Sequence, residues 1–194
     1  MKSKVTNDQI KEIAQRFGIE GAALKAFIEV ESGGKGFDSR TGKILIQFEP
    51  HWFKRKVPYA PSGNWSVNKV DVQSKEWPAF NEAFRINADG AMESTSIGLG
   101  QLMGFHYKIM GYKSVGEMWD YAKLGEYEQV VQLCIFLKNY LGGRILRYLS
   151  VKDWHNVAVY YNGSGYMTIA KKYGREPYNI SMQKAYEKYK KLGW

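Results

Sequence analysis

Residues 126–149, EYEQVVQLCIFLKNYLGGRILRYL, constrain the fold of this chain more than any other stretch. Val130, Val131, Leu133, Cys134, Phe136, Leu137, Tyr140 and Leu141 would surround a helix with apolar side chains on nearly every side. A helix of that kind cannot face water and belongs in the middle of a core. The chain has 194 residues, of which 44% are hydrophobic, enough for one substantial core. A single domain over residues 1–194 is therefore expected. Cys134 is the only cysteine. One thiol can form no internal disulfide and build no cysteine metal site, so it reads as a small buried hydrophobe.

Helical periods recur on both sides of this run. Thr6 followed by Gln9 is a capping-box signature ahead of Ile10, Ile13 and Phe17, and Gly18 closes that segment. A second helix is expected over about residues 20–32, with Leu24, Phe27, Ile28 and Glu31 on one face. GFDSRTGKILIQFE then reads as a hairpin about Ser39–Gly42, with Ile44, Ile46 and Phe48 alternating. Residues 50–90 lack a sustained period and suggest short helices and loops, one helix covering EWPAFNEAFRIN. STSIGLGQLMG reads as a Ser/Gly-rich turn; VGEMWDYAKLG and WHNVAVYYNGSG read as helices, the latter stopped at Asn162-Gly163. The sum is a mainly α protein with one small β-hairpin.

Lys and Arg number 28 against 19 Asp and Glu, a formal charge of +9, which favours a polyanionic partner: nucleic acid, anionic lipid or an acidic wall polymer. No RNP-like, zinc-finger or Gly-rich phosphate motif accompanies the basic residues, so nucleic acid is not the expected partner. The charge concentrates at about residues 170–194, AKKYGREPYNISMQKAYEKYKKLGW, a basic amphipathic segment. As a helix it would either lie on an anionic outer-membrane surface or pack on the domain with its basic face solvated. No run of about 18 apolar residues is present, and MKSKVTNDQ is too polar for a secretory signal, so a cytoplasmic start is expected.

One residue breaks the apolar logic. In AFIEVESGG, Glu31 stands on the core-facing stripe of its helix, near the C-terminal end. Burial and the negative pole of the helix both disfavour its ionised form. A glutamic acid kept protonated near neutral pH can protonate a glycosidic leaving oxygen. The alternative from spacing alone is a turn cap or a partner for a nearby lysine.

Glycoside hydrolysis usually employs a second carboxylate. Asp38 and Glu49, on opposite arms of the expected hairpin, are the candidates. Alternation puts Glu49 on the face opposite Ile46 and Phe48, towards solvent or a groove; Asp38 has a turn-forming role as its alternative. His51, His106 and His155 are the only histidines, at no recognisable ligand spacing, and no metal is expected.

Together AFIEVESGGKGFD, ILIQFEPHWF, STSIGLGQLMG and AVYYNGSG, in that order, resemble the phage and bacterial N-acetylmuramidase family of endolysins, and more distantly lytic transglycosylases and goose-type lysozyme. The likeness spans most of residues 20–165 and implies a lysozyme-like α+β fold. It places the catalytic acid on Glu31, the following serine on Ser32, and the FE-x-H segment on Phe48, Glu49 and His51, which favours Glu49 over Asp38 as second carboxylate. Ser96 and Gln101 match the Gly-Leu-x-Gln segment, and Tyr160, Tyr161 and Asn162 match a cleft-lining turn. Asp38, His51 and these residues are the expected substrate-binding set, one of the two tyrosines having a core role as its alternative. The implied activity is cleavage of the β-1,4 bond between N-acetylmuramic acid and N-acetylglucosamine in peptidoglycan, without cofactor; a monomer is the default expectation, and access to the wall is expected through a holin pore for a lysis protein or by tail delivery for a virion component. Two rivals stand beside it: a lytic transglycosylase using the same acid to give 1,6-anhydro products, and a basic aromatic module that binds the wall without cutting.

Overall fold

The computed structural model describes residues 4–68 and 73–194; positions 69–72, inside the stretch expected to be short helices and loops, lie outside the described residues. Helices dominate, with one three-stranded antiparallel sheet. The chain divides into two compact units, one of Lys35–Gln132 and one of Val5–Gly34 with Leu133–Trp194.

In the first unit, β1 (Ile46–Phe48), β2 (Thr95–Ile97) and β3 (Leu102–Met103) pair in that order. The register sets Gln47 opposite Ser96, and Ser96 opposite Met103. The expected hairpin is present at its turn end, where Phe37 bridges Ile44, the Asp38 amide donates to the Lys43 carbonyl at 2.8 Å and the Leu45 amide to the Gly36 carbonyl at 3.0 Å. Beyond it, β1 pairs instead with a strand from the segment expected to be a turn. The reason lies at the free edge of β1, which side chains of α4 (Gln73–Ile86) occupy. Gln73 accepts from the Ile46 amide at 3.1 Å and donates to its carbonyl at 2.7 Å, while Glu76 accepts from the Phe48 amide at 2.8 Å. The buried side chains of Ile46 and Phe48 then pack under α3 (Pro50–Lys56) and beside the strand that carries Thr95 and Ile97. Helices α5 (Ala88–Glu93) and α6 (Val115–Ala122) complete the shell.

The run that opened the sequence forms α7 (Glu126–Asn139), which serves both units. Val130, Val131, Leu133, Cys134, Phe136 and Leu137 are buried as expected, whereas Tyr140 is part-exposed and Leu141, past the end of the helix, is exposed. Glu126, Gln129 and Gln132, three residues apart, are buried as well, and each bonds the backbone of a neighbouring segment. Glu126 accepts from the Gly36 amide at 3.0 Å, and Gln132 donates to the Met118 carbonyl at 2.9 Å. Gln129 accepts from the Leu99 amide and donates to the Ala122 carbonyl, both at 2.9 Å. A Cβ on Gly36 would come within 2.0 Å of the Gln129 Oε1, and one on Gly98 within 2.8 Å, so both loops approach α7 only because they carry glycine there. The helix does not continue to residue 149. Leu141, Gly142 and Gly143 adopt positive φ (51°, 63° and 75°), and α8 (Arg144–Ser150) starts afresh. Two adjacent glycines take that conformation cheaply and end the helix despite its apolar period.

In the second unit, α1 (Asn7–Phe17) begins with the Thr6–Gln9 capping box. α2 (Gly21–Ser32) buries Leu24, Phe27 and Ile28 and ends at Gly33. α9 (Trp154–Asn162), α10 (Tyr166–Lys172) and α11 (Tyr178–Lys191) follow. The C-terminal segment is therefore two helices, and α11 packs along α2 with Met182, Ala185 and Tyr189 buried. Its lysines largely face glutamates of the same unit: Lys188 pairs with Glu29, Lys190 with Glu20, and Lys184 with Glu176. The apolar face that would have entered a membrane is used inside the protein. Among the described residues no helix is long and apolar enough to cross one.

Candidate active site

Glu31 occupies the penultimate position of α2. Its residue surface is partly open, while its carboxyl is set deep among neighbours. Burial pushes this carboxyl from its ordinary 4.5 up to about 7, against a hydrogen bond from the Tyr178 hydroxyl that pulls the other way. Tyr178 is the first residue of α11, and its own phenol is driven well above the usual range by burial and by the nearby Glu31 charge. Tyr161 is near enough to feel the same carboxyl, its phenol raised well above the usual range by burial and then by the Glu31 charge. Phe27, one turn before Glu31, meets Tyr161 edge to face at 4.6 Å between centroids and Tyr178 at 6.4 Å. Asn162 hydrogen-bonds Tyr178, so the end of α9 and the start of α11 hold the acid's surroundings together.

Other expected residues of this unit have more local roles. Ser32 returns its hydroxyl to the Ile28 carbonyl at 3.3 Å. Tyr160 stacks on Tyr148 at 5.4 Å with Arg144 over its ring, so of the two tyrosines it is Tyr161 that faces Glu31.

Glu49 sits in a contrasting setting in the first unit. It closes β1 and precedes α3, its amide donating to the Ser94 carbonyl at 2.9 Å. Gln47 donates to its Oε1 at 2.9 Å, and the ring of His51, a largely exposed side chain, lies 3.4 Å from its Oε2. Gln47 and Ser96 share one face of the sheet through their register, and Ser96 donates to Gln101 at 3.0 Å. Gln101 in turn donates to the Gly98 carbonyl at 2.7 Å and holds φ at +46°, a costly conformation for a side chain of this kind. Glu49, His51, Ser96 and Gln101 are thus gathered with Gln47 around one polar sheet face.

Asp38 stands apart in function. Its carboxylate accepts from the amides of Arg40 at 2.8 Å and Thr41 at 2.9 Å, and these bonds hold it below the usual range. It shapes the turn, the role its position near Ser39–Gly42 suggested. His155 meets the Tyr166 hydroxyl at 2.8 Å, and burial lowers His106 to about 4. Among the described residues no three His, Cys, Asp or Glu side chains gather as a metal ligand set. Burial lifts the Cys134 thiol to about 12, which makes it inert.

Two residues of these settings escaped sequence reasoning. Tyr178 lies 147 positions from Glu31 in the chain and read only as one aromatic of a basic tail. Gln47 was within reach, because the alternation that turns Glu49 away from Ile46 and Phe48 turns Gln47 the same way.

A mainly helical fold with a small antiparallel sheet, carrying a glutamic acid whose carboxyl burial raises to about 7, is the architecture of the lysozyme-like class. The sequence model of the N-acetylmuramidase family matches residues 20–190. The chain belongs to that family and is a peptidoglycan hydrolase. Among solved structures it is similar to the Burkholderia AP3 phage endolysin, with a TM-score of 0.82 and 29% identity over 98% of this chain and 72% of that one. No curated protein gives a significant match.

Proposed function

We propose that the chain cleaves the β-1,4 bond between N-acetylmuramic acid and N-acetylglucosamine, with Glu31 protonating the leaving oxygen. The observation that carries this reading is the carboxyl's environment, dry enough to hold its proton up to about 7. Tyr178 works at the other end of the transfer, since its hydroxyl stabilises the carboxylate that forms once the proton has gone. The two influences together leave an acid poised near the pH at which it must act.

Glu49 is proposed as the second carboxylate, directing water to the sugar carbon. The polar face formed with Gln47, His51, Ser96 and Gln101 supports the role, because it supplies hydrogen-bond partners for water or for hydroxyl and acetamido groups of a sugar. The biological role proposed is that of an endolysin, as for the AP3 phage protein, acting on the wall after release from the host cytoplasm.

The deciding experiment digests purified peptidoglycan and identifies the new chain ends by mass spectrometry. Reducing ends that have gained one water support hydrolysis. Anhydro ends would overturn the role of Glu49 and leave a transglycosylase that uses Glu31. Walls that are bound but uncut would overturn both.

A further inference from the structure

The polar face around Glu49 continues into a row of rings that the catalytic reading does not use. His51 lies 5.3 Å from Trp52 between ring centroids, Trp52 lies 5.1 Å from Phe105, and Phe105 lies 4.5 Å from His106. The row is built by two short elements. Trp52 comes from the first turn of α3, and Phe105 from the 3₁₀ turn Gly104–His106 that follows β3. The core takes only Phe53 from α3, packing it against Phe48 at 5.8 Å and Trp65 at 4.8 Å. Trp52 and Phe105 are left on the rim, each part-exposed.

Adjoining part-exposed rings with polar groups at their rim form the kind of apolar patch that marks a binding groove. The groups beside these rings say what the cover is. Gln47, Glu49 and Gln101 offer polar atoms, and two cations add to them, the Arg55 guanidinium over the Trp52 ring at 5.2 Å from its centroid and the Lys56 ammonium over the Phe105 ring at 5.7 Å. An apolar plate flanked by hydrogen-bonding side chains suits a ligand with an apolar face and a polar rim. A pyranose ring has that form. A lipid tail would leave the polar groups without partners, and a folded protein surface would need a broader apolar area.

We propose that Trp52 and Phe105 form a stacking subsite for a sugar of the glycan strand, next to Glu49. The proposal rests on the reading of the chain as a glycan-cleaving enzyme, and its test is separable from that reading. In a Glu31→Gln background, which removes turnover, titration with an N-acetylglucosamine pentamer reports binding alone. Trp52→Ala is expected to weaken binding about tenfold and Phe105→Ala roughly three- to tenfold, the scale of one aromatic contact. Trp52→Phe keeps a ring and should bind within about threefold of the parent, yet lose most of the ligand-induced change in tryptophan fluorescence.

With Glu31 intact, the Ala variants should raise KM and leave kcat close to that of the parent. Unchanged affinity in folded Trp52→Ala and Phe105→Ala proteins would overturn the subsite, as would an undiminished fluorescence change in Trp52→Phe. If Trp52→Ala does not fold, Phe105→Ala and Trp52→Phe carry the test alone. Continued cutting by Glu31→Gln would instead sink the catalytic assignment and leave the binding result standing.

Discussion

Glu31 and Glu49 are the same amino acid in opposite surroundings. Glu31 is enclosed by Phe27, Tyr161 and Tyr178, and its carboxyl is drained of water. Glu49 receives a hydrogen bond from Gln47, keeps 25% of its side-chain surface open and has His51 within 3.4 Å. Burial favours the neutral acid in the first environment, while the second is polar and partly open. In the proposed function this contrast matches the two roles of glycoside cleavage, a proton donor at Glu31 and a water-directing carboxylate at Glu49.

The sharpest way to break the contrast is Glu31→Gln. It should reduce lysis of purified walls by roughly 10²–10⁴-fold, the range of a lost general acid, in a turbidity assay. The same variant carries a stability signature with a definite sign. The folded value of about 7 lies above the ordinary 4.5, so the folded state holds the proton more tightly than the unfolded chain does. That contribution is complete below about pH 4.5 and is lost as pH rises through about 7, a difference on the order of 3 kcal/mol. Glu31→Gln should therefore melt higher than the parent at pH 8, and show no such advantage at pH 4. A variant that melts lower than the parent at pH 8 would mean that Glu31 is not desolvated.

Glu49→Gln comes next, with an expected loss of about a hundredfold if an anion there directs water. A loss below about threefold would remove Glu49 from the mechanism and favour attack by the substrate's own hydroxyl.

Tyr178→Phe sharpens the contrast from the other side. The phenol favours the ionised form of Glu31, so without it the carboxyl keeps its proton to higher pH. The alkaline limb of the pH–rate profile should move upward, a change that loss of packing alone would not produce. A limb that stays in place would show that the hydroxyl does not act on the acid.

The smallest effect on activity is expected at Gln129, whose amide holds the Leu99 loop to α7 in the first unit. Gln129→Leu leaves the buried Leu99 amide and Ala122 carbonyl without that partner and should cost roughly 2–3 kcal/mol in urea unfolding. Unchanged stability would mean that the loop finds other donors and acceptors.

Much of this was legible in the chain. Periodicity located α1, α2 and α9 with their ends, because a helix is decided within a few residues by caps and by a 3.6-residue apolar stripe. Glu31 stood out for the same reason, as a carboxylate where the stripe called for a leucine. Strand pairing was not legible. β1 pairs with Thr95–Ile97, some fifty positions away, because Gln73 and Glu76 cap its other edge, and nothing near Ile46 announces that. The apolar period of residues 126–149 concealed both the buried Glu126, Gln129 and Gln132 and the break at Gly142-Gly143.

The C-terminal segment draws the line most clearly. Its composition describes a basic amphipathic helix and leaves open what the apolar face meets. The fold turns Met182, Ala185 and Tyr189 onto α2, matches its lysines with Glu20 and Glu29, and sets Tyr178 on Glu31. The sequence by itself determined the helices and the odd carboxylate, since propensity, caps and apolar period act over one or two turns. Only the tertiary structure decided that this carboxylate is dry and which phenol touches it, because desolvation is a property of everything packed around a group, here contributed by α2, α9 and α11 from opposite ends of the chain.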